Sequence, residues 1–217
     1  MIKPRICAVI TGADMEAIRQ AGELADLFEV RIDLVGSGWQ DVVSCLHKPW
    51  IAANRNASNH GGHAGSEDQR LSGLFKALDL GADIIDIEIE TEGLEDVIKR
   101  IGGRAKCLIS HHDWTGTAPP ENLAAMVARQ IASGADICKV VTTATKIDDN
   151  IAVIRLPSLF PRTSVIALAM GAAGALSRVL SPLAGGYLTY ASIGSCAASA
   201  PGQLDLRQMR NIYQALL

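Results

Sequence analysis

The chain predicts a single (β/α)8 barrel spanning residues 1–217. Two observations carry that prediction. Short apolar runs alternate with helical patterns eight times, with no break in composition, which is the signature of a parallel sheet built from βα units. Three of those runs also share one layout: Ala25-Asp26-Leu27-Phe28-Glu29-Val30-Arg31, Ala82-Asp83-Ile84-Ile85-Asp86-Ile87-Glu88 and Ala135-Asp136-Ile137-Cys138-Lys139-Val140-Val141. Each opens with Ala-Asp and places a charge at the fifth position: Glu29, Asp86 and Lys139. Side chains alternate along a strand, so matched offsets put the three charges on matching faces, while the fourth and sixth residues point toward covering helices. In a barrel, alternate strands build each interior layer, and these three would meet inside. The competing architecture, an open doubly wound sheet, has no G-x-G-x-x-G after the first strand to support a dinucleotide site.

The elements follow in order. Ile6 to Ile10 is a first strand, closed by Thr11-Gly12, and Asp14 can cap a helix carrying Ile18, Ala21, Leu24 and Ala25 at helical spacing. The second strand is expected over Leu27 to Leu34, a short helix around Asp41 to Leu46, and a third strand over Trp50 to Ala53 that delivers Arg55. Asn54 to Glu67 is polar and glycine-rich, either a site loop or a flexible one. A helix from Arg70 to Leu80 ends at Gly81, a C-cap choice. The fourth strand covers Ile84 to Ile89, a helix Leu94 to Ile101, and the fifth strand Cys107 to Ser110 runs into His111-His112-Asp113-Trp114. Pro119-Pro120 start a helix that continues to Ala132, before Gly134 and the strand of Lys139. Helices at Asp148 to Leu156 and Ala172 to Leu180 flank a seventh strand at Ser164 to Met170. Tyr187 to Ala191 is the eighth, and Gln203 to Leu217 closes the chain as an amphipathic helix.

Composition narrows the function. A formal net charge of −3, no Lys/Arg run and 4% aromatic residues argue against nucleic acid as a partner. No apolar run reaches the length of a membrane span, and no signal-peptide pattern opens the chain. The five cysteines, Cys7, Cys45, Cys107, Cys138 and Cys196, are scattered without a CxxC pair, which indicates neither a disulfide framework nor a zinc site and fits a reducing cytoplasm.

The chemistry concentrates on Lys139. A lysine inside an apolar strand is seldom buried unless paired. Either its stem is covered while the ammonium reaches solvent, or the amine is desolvated and able to attack a carbonyl as a Schiff-base nucleophile. The polar residues expected at strand ends are Arg31, Arg55, His112, Lys139, Arg178, Ser199 and Gln203. Several are basic, so the ligand is expected to be anionic, and arginine favours carboxylate or phosphate. His111-His112-Asp113 lacks a third metal ligand, and alternation sends only one of the two histidines inward. An inward histidine beside a Schiff-base lysine would shuttle protons near neutral pH; a structural His-Asp contact is the other reading.

Six segments in order resemble the type I 3-dehydroquinate dehydratase family. Glu29-Val30-Arg31-Ile32-Asp33 is similar to its second-strand E-x-R-x-D, Arg55 to its third-strand arginine, and Ser110-His111-His112-Asp113-Trp114 to its S-x-H-D-[FW]. Ala135-Asp136-Ile137-Cys138-Lys139 matches its lysine segment, Met170-Gly171 through Ser177-Arg178 its carboxylate-binding motif, and Ser199-Ala200-Pro201-Gly202-Gln203 its last loop, which folds over the substrate. One position departs: Asn59-His60 precede Gly61-Gly62 where the family carries a glutamate that orients the catalytic histidine, so either Asp86 or Glu88 takes over that role or His112 is held differently.

The resemblance implies dehydration of 3-dehydroquinate to 3-dehydroshikimate in the shikimate pathway of aromatic amino acid biosynthesis. Lys139 and His112 would be catalytic, and Glu29, Arg31, Arg55, Arg178, Ser199 and Gln203 would bind substrate, with Asp86 a weaker candidate. No metal or other cofactor is called for, and a cytoplasmic homodimer is the expected form. The alternatives are a Schiff-base aldolase or transaldolase, which would want a phosphate loop near Gly171 to Gly174, and a non-catalytic barrel that binds small anions.

Overall fold

The computed structural model describes residues 3–57, 60–194 and 199–217. Eight strands carry the architecture: β1 (Ile6–Ile10), β2 (Leu27–Arg31), β3 (Trp50–Ala53), β4 (Ile84–Glu88), β5 (Lys106–His112), β6 (Ile137–Thr143), β7 (Ser164–Met170) and β8 (Thr189–Ser192). All adjacent pairs are parallel, in the order β7-β6-β5-β4-β3-β2-β1-β8. Between β7 and β8 the Tyr187 amide donates to the Val165 carbonyl at 2.8 Å, which brings the two ends of the sheet together. The helices are α1 (Met15–Leu24), α2 (Ile32–Val35), α3 (Trp39–Ser44), α4 (Glu67–Asp79), α5 (Leu94–Ile101), α6 (Pro120–Ala132), α7 (Asp149–Arg155), α8 (Ala175–Leu183) and α9 (Leu206–Leu216). Among the described residues none is long and apolar enough to cross a membrane.

Alternation sorts the core into two shells. Phe28, Val30, Ile85, Ile87 and Ile109 pack outward against the helices, as do Cys138 and Val140. Leu27, Ile84 and Ile137 from the even strands and Leu188 just before β8 point inward and seal the barrel floor, joined by Cys7, Ile51, Leu108 and Ile166 from the odd strands. One step further along the even strands come Glu29, Asp86, Lys139 and Tyr190, so the charged layer rests on an apolar one.

Several boundaries differ from the sequence pattern for local reasons. β2 stops at Arg31 rather than Leu34, because Arg31 Nε and Nη2 clamp the Asp33 carboxylate at 3.0 and 2.6 Å and residues 32–35 coil into α2. β5 runs on to His112, since His111 and His112 stay in register with Val140 and Val141 and the Asp113 amide extends the ladder to Val141 at 2.8 Å. α4 starts before Arg70: Ser66 and Gln69 form a capping box that fixes its first turn. α9 starts after Gln203, where Asp205 and Gln208 cap it the same way. The Asp14 cap of α1 and the left-handed Gly81 after α4 agree with the sequence reading.

The segment after β3 folds back on the barrel mouth. Asn56 bridges His63, the Gly61 amide donates to Asn56 and the His63 amide to Arg55. A Cβ on Gly61 would collide with the Arg55 carbonyl, so this turn requires glycine. His60 just before it takes φ +57, a left-handed conformation uncommon outside glycine.

Candidate active site

The C-terminal ends of the strands surround a small cavity. Glu29, Arg31, Arg55, His112, Lys139, Arg178, Ser199 and Gln203 all line it. Every substrate-binding and catalytic candidate of the sequence therefore reaches one place. Asp86 does not line the cavity; it lies beneath, fully enclosed at 2% exposure.

Lys139 is 4% exposed, so its ammonium does not reach solvent past the barrel wall. Its Nζ donates to Asp86 Oδ2 at 2.8 Å and Glu29 Oε2 at 3.3 Å, and stands 4.4 Å from the centre of the Tyr190 ring. The three charges at matched offsets thus touch. β8 supplies the fourth member of their layer, a tyrosine that the sequence reading passed over.

Asp86 is the hub of a buried network. Its Oδ2 also takes Arg55 Nη2 at 2.6 Å, and its Oδ1 takes the Ser110 hydroxyl at 2.6 Å. Arg55 Nη1 reaches Glu88 at 3.1 Å and Ser110 at 3.3 Å; Glu88 in turn receives Arg70 Nη1 from α4 at 2.8 Å. Burial would raise the Asp86 carboxyl, but Arg55 and then Lys139 hold it well below the usual carboxylate range. The same carboxylates raise Arg55 against the pull of its own burial. Glu29, Asp86 and Glu88 are offset by Lys139, Arg55 and Arg70, and Arg31 by Asp33, so these buried charges are paired, as burial demands.

Arg178 is the exception. It is 3% exposed; among the described residues its Nε has no hydrogen-bond partner and its Nη2 donates only to the Pro201 carbonyl, at 3.3 Å. Among the described residues no carboxylate pairs with it. Burial lowers its pKa to about 10, so it remains a cation at neutral pH. A buried, unpaired guanidinium on a cavity wall is a site for an anion. Beside it Gln203 Oε1 accepts from the Ser199 amide at 2.9 Å and hydroxyl at 3.1 Å, which turns the Gln203 amide nitrogen away from that contact. The turn at Gly171 to Gly174 is poorly suited to phosphate: the Gly171 amide already donates to Pro201 and the Gly174 amide to Gly171.

His112 faces the cavity, whereas His111 points outward and pairs with Glu90 at 2.7 Å. Burial first, then the positive fields of Arg55 and Lys139, push the His112 imidazole well below 6.5, with Asp86 pulling weakly the other way. It is therefore neutral near pH 7 and free to accept a proton. Of the readings the sequence leaves open, neither Asp86 nor Glu88 orients it by a hydrogen bond, because both carboxylates are engaged by arginines, Lys139 and Ser110, and His112 is held differently. The ring instead lies stacked toward Trp114, centroids 6.4 Å apart, and His60 packs on Trp114 at 4.1 Å. His60 also lines the cavity; its neighbour Asn59 lies outside the described residues.

Comparison with known proteins gives the family of the chain. The family model described as type I 3-dehydroquinase matches residues 6–217. The 3-dehydroquinate dehydratase of Dehalococcoides mccartyi strain CBDB1 is 41% identical over 213 residues, covering 98% of this chain and 96% of its own. That of Methanothrix thermoacetophila is 36% identical over 217 residues, covering 98% and 92%. Among solved structures, the 3-dehydroquinate dehydratase of Geobacillus kaustophilus has a TM-score of 0.84 at 25% identity and covers 98% of this chain and 91% of its own. Barrel and matches define an enzyme of the (β/α)8 class. The chain belongs to the type I 3-dehydroquinase family, a family of hydro-lyases.

Proposed function

We propose that this chain dehydrates 3-dehydroquinate to 3-dehydroshikimate, a step of the shikimate pathway, through a Schiff base on Lys139. The observation that carries the covalent step is Lys139 itself, an amine 4% exposed that lines the cavity. The substrate rests on family membership and on the activity named for the relatives, and the unpaired Arg178 supplies a partner for its carboxylate.

Lys139 adds to the ketone and water leaves, forming an iminium. The iminium acidifies the neighbouring C–H and accepts the electron pair as an enamine when His112 removes that proton. The enamine then expels the hydroxyl group one carbon further on, which leaves as water with the proton His112 returns. Hydrolysis of the iminium frees the conjugated enone and restores the amine. Arg178, with Gln203 and Ser199, holds the carboxylate. Glu29, Arg31 and Arg55 face the ring hydroxyls, while Asp86 fixes the resting amine and Arg55.

Incubation with 3-dehydroquinate should produce the ultraviolet absorbance of a conjugated enone. Borohydride added during turnover should fix ligand mass on the peptide that contains Lys139. Turnover without any adduct at Lys139 would remove the covalent step, and absence of the enone would remove the substrate.

A further inference from the structure

Tyr190 is placed where a phenylalanine would fit better. Its side chain is 5% exposed, and its hydroxyl is buried with no hydrogen-bond partner among the described residues. A buried hydroxyl without a partner loses its hydration for nothing in return, and the same ring without oxygen would avoid that loss. The oxygen is thus retained at a cost to the resting protein. The ring lines the same cavity as Lys139, and Lys139 Nζ lies 4.4 Å from its centre. β1 and β8 pair Cys7 with Tyr190, and Cys7 packs in the apolar cluster of the barrel interior, so the strand alongside brings a thiol rather than a strong acceptor.

We propose that Tyr190 is a further catalytic residue: its hydroxyl hydrogen-bonds the substrate oxygen at the carbon attacked by Lys139 and holds it while that oxygen leaves. This rests on the Schiff-base reading above. One Nζ proton passes to Glu29, whose Oε2 accepts from Nζ at 3.3 Å, and on to the substrate oxygen; the nitrogen pair so freed forms the C–N bond while the C=O π pair moves onto oxygen. Two of the three ammonium protons of Lys139 end on that oxygen, the C–O bond breaks with its pair, and water departs. The third proton stays on the iminium nitrogen, so atoms and charge balance without any co-reactant. Tyr190 donates a hydrogen bond to the developing oxyanion and keeps its own proton. Burial, reinforced by Glu29, holds the phenol well above its usual pKa, which keeps it a donor. The orphan hydroxyl finds its partner only when a carbonyl stands over Lys139. Donors aimed at a charge that develops during reaction stabilise the transition state more than the ground state.

The variant Tyr190→Phe keeps the ring and removes the oxygen. A merely structural hydroxyl would make this variant at least as stable and equally active. The proposal expects unchanged or higher thermal stability together with slower imine formation. In single-turnover mixing with 3-dehydroquinate, quenched with borohydride at successive times, adduct on Lys139 should accumulate at least about tenfold more slowly than in the parent chain, the factor for one hydrogen bond made in the transition state. The final trapped fraction should be similar. Adduct formation at the parental rate overturns the role of Tyr190, as does a rate loss confined to steps after the imine. Absence of adduct in the parent chain itself overturns the Schiff-base reading and this proposal with it, so the two failures are told apart by the parent alone.

Discussion

Arg70 Nη1 donates to Glu88 Oε2 at 2.8 Å, so a helix residue on the outer shell fixes a carboxylate inside the barrel mouth. The same nitrogen caps the Asn54 carbonyl at 2.9 Å, and Nη2 reaches Thr91 at 3.1 Å. Arg70 is 2% exposed. Removing one partner of such a pair leaves the other charge buried, at a cost of about 3–5 kcal/mol. Arg70→Met should lower the denaturant midpoint by a corresponding amount, and Arg70→Lys by less. A change within about 0.5 kcal/mol, the range of ordinary surface substitutions, would show that Glu88 is held by Arg55 alone.

His112→Ala should cut turnover by about 10²–10⁴-fold, the usual contribution of a positioned acid–base group. Lys139 remains able to meet the ketone, so the covalent adduct should build up and be visible by mass without borohydride. His111→Ala should cost far less, because His111 pairs with Glu90 at the surface. Kinetics of the two variants side by side decide the assignment. Reversal of their effects would move the base by one residue.

Arg178→Ala should weaken binding of a carboxylate ligand such as quinate by about 2–5 kcal/mol, the loss expected for a desolvated charge pair. Lysine at this position should restore only part of it, since the two-pronged donor is missing. Titration calorimetry measures this directly. An unchanged dissociation constant would place the carboxylate elsewhere in the cavity.

Acidity should act on activity and stability at different points. The folded His112 ring stays neutral below pH 6.5, so the acid limb of kcat/KM should fall below that value rather than at it. The unfolded chain's imidazole takes up its proton near pH 6.5 (about) while the folded one does so only lower, so the unfolded state binds more protons in that window and stability declines as pH drops through it. Asp86, held low by Arg55 and Lys139, adds a second decline further into acid. Denaturation midpoints measured from pH 7 downward should show the first slope, and His112→Asn should flatten it.

Much of this site was readable from the chain. Glu29, Asp86 and Lys139 announced themselves because a two-residue period converts equal offsets into equal faces, and the structure brings them into contact. Tyr190 was not readable on the same grounds. Its strand lacks the Ala-Asp opening, and placing that strand's start at Tyr187 rather than Thr189 leaves its inward face unmarked. Arg70 looked like an ordinary helix residue, since nothing local says that its guanidinium turns inward to Glu88. His60 depends on a left-handed turn imposed by Gly61 packing on Arg55, a tertiary constraint that no pattern of residue types expresses.

The hydrogen bond from Tyr187 to Val165 closes a hoop whose other joints are full ladders. The joint between β7 and β8 is therefore where the circumference is thinnest. Pro201, from the loop after β8, bridges that joint by accepting from Gly171 at the end of β7 and from Arg178 on α8. An anion gripped by Arg178 would tighten the same span from inside. Occupancy and the integrity of the hoop are in that sense one property: a carboxylate ligand should slow amide exchange of Tyr187 and Gly171 more than that of strands on the far side of the barrel.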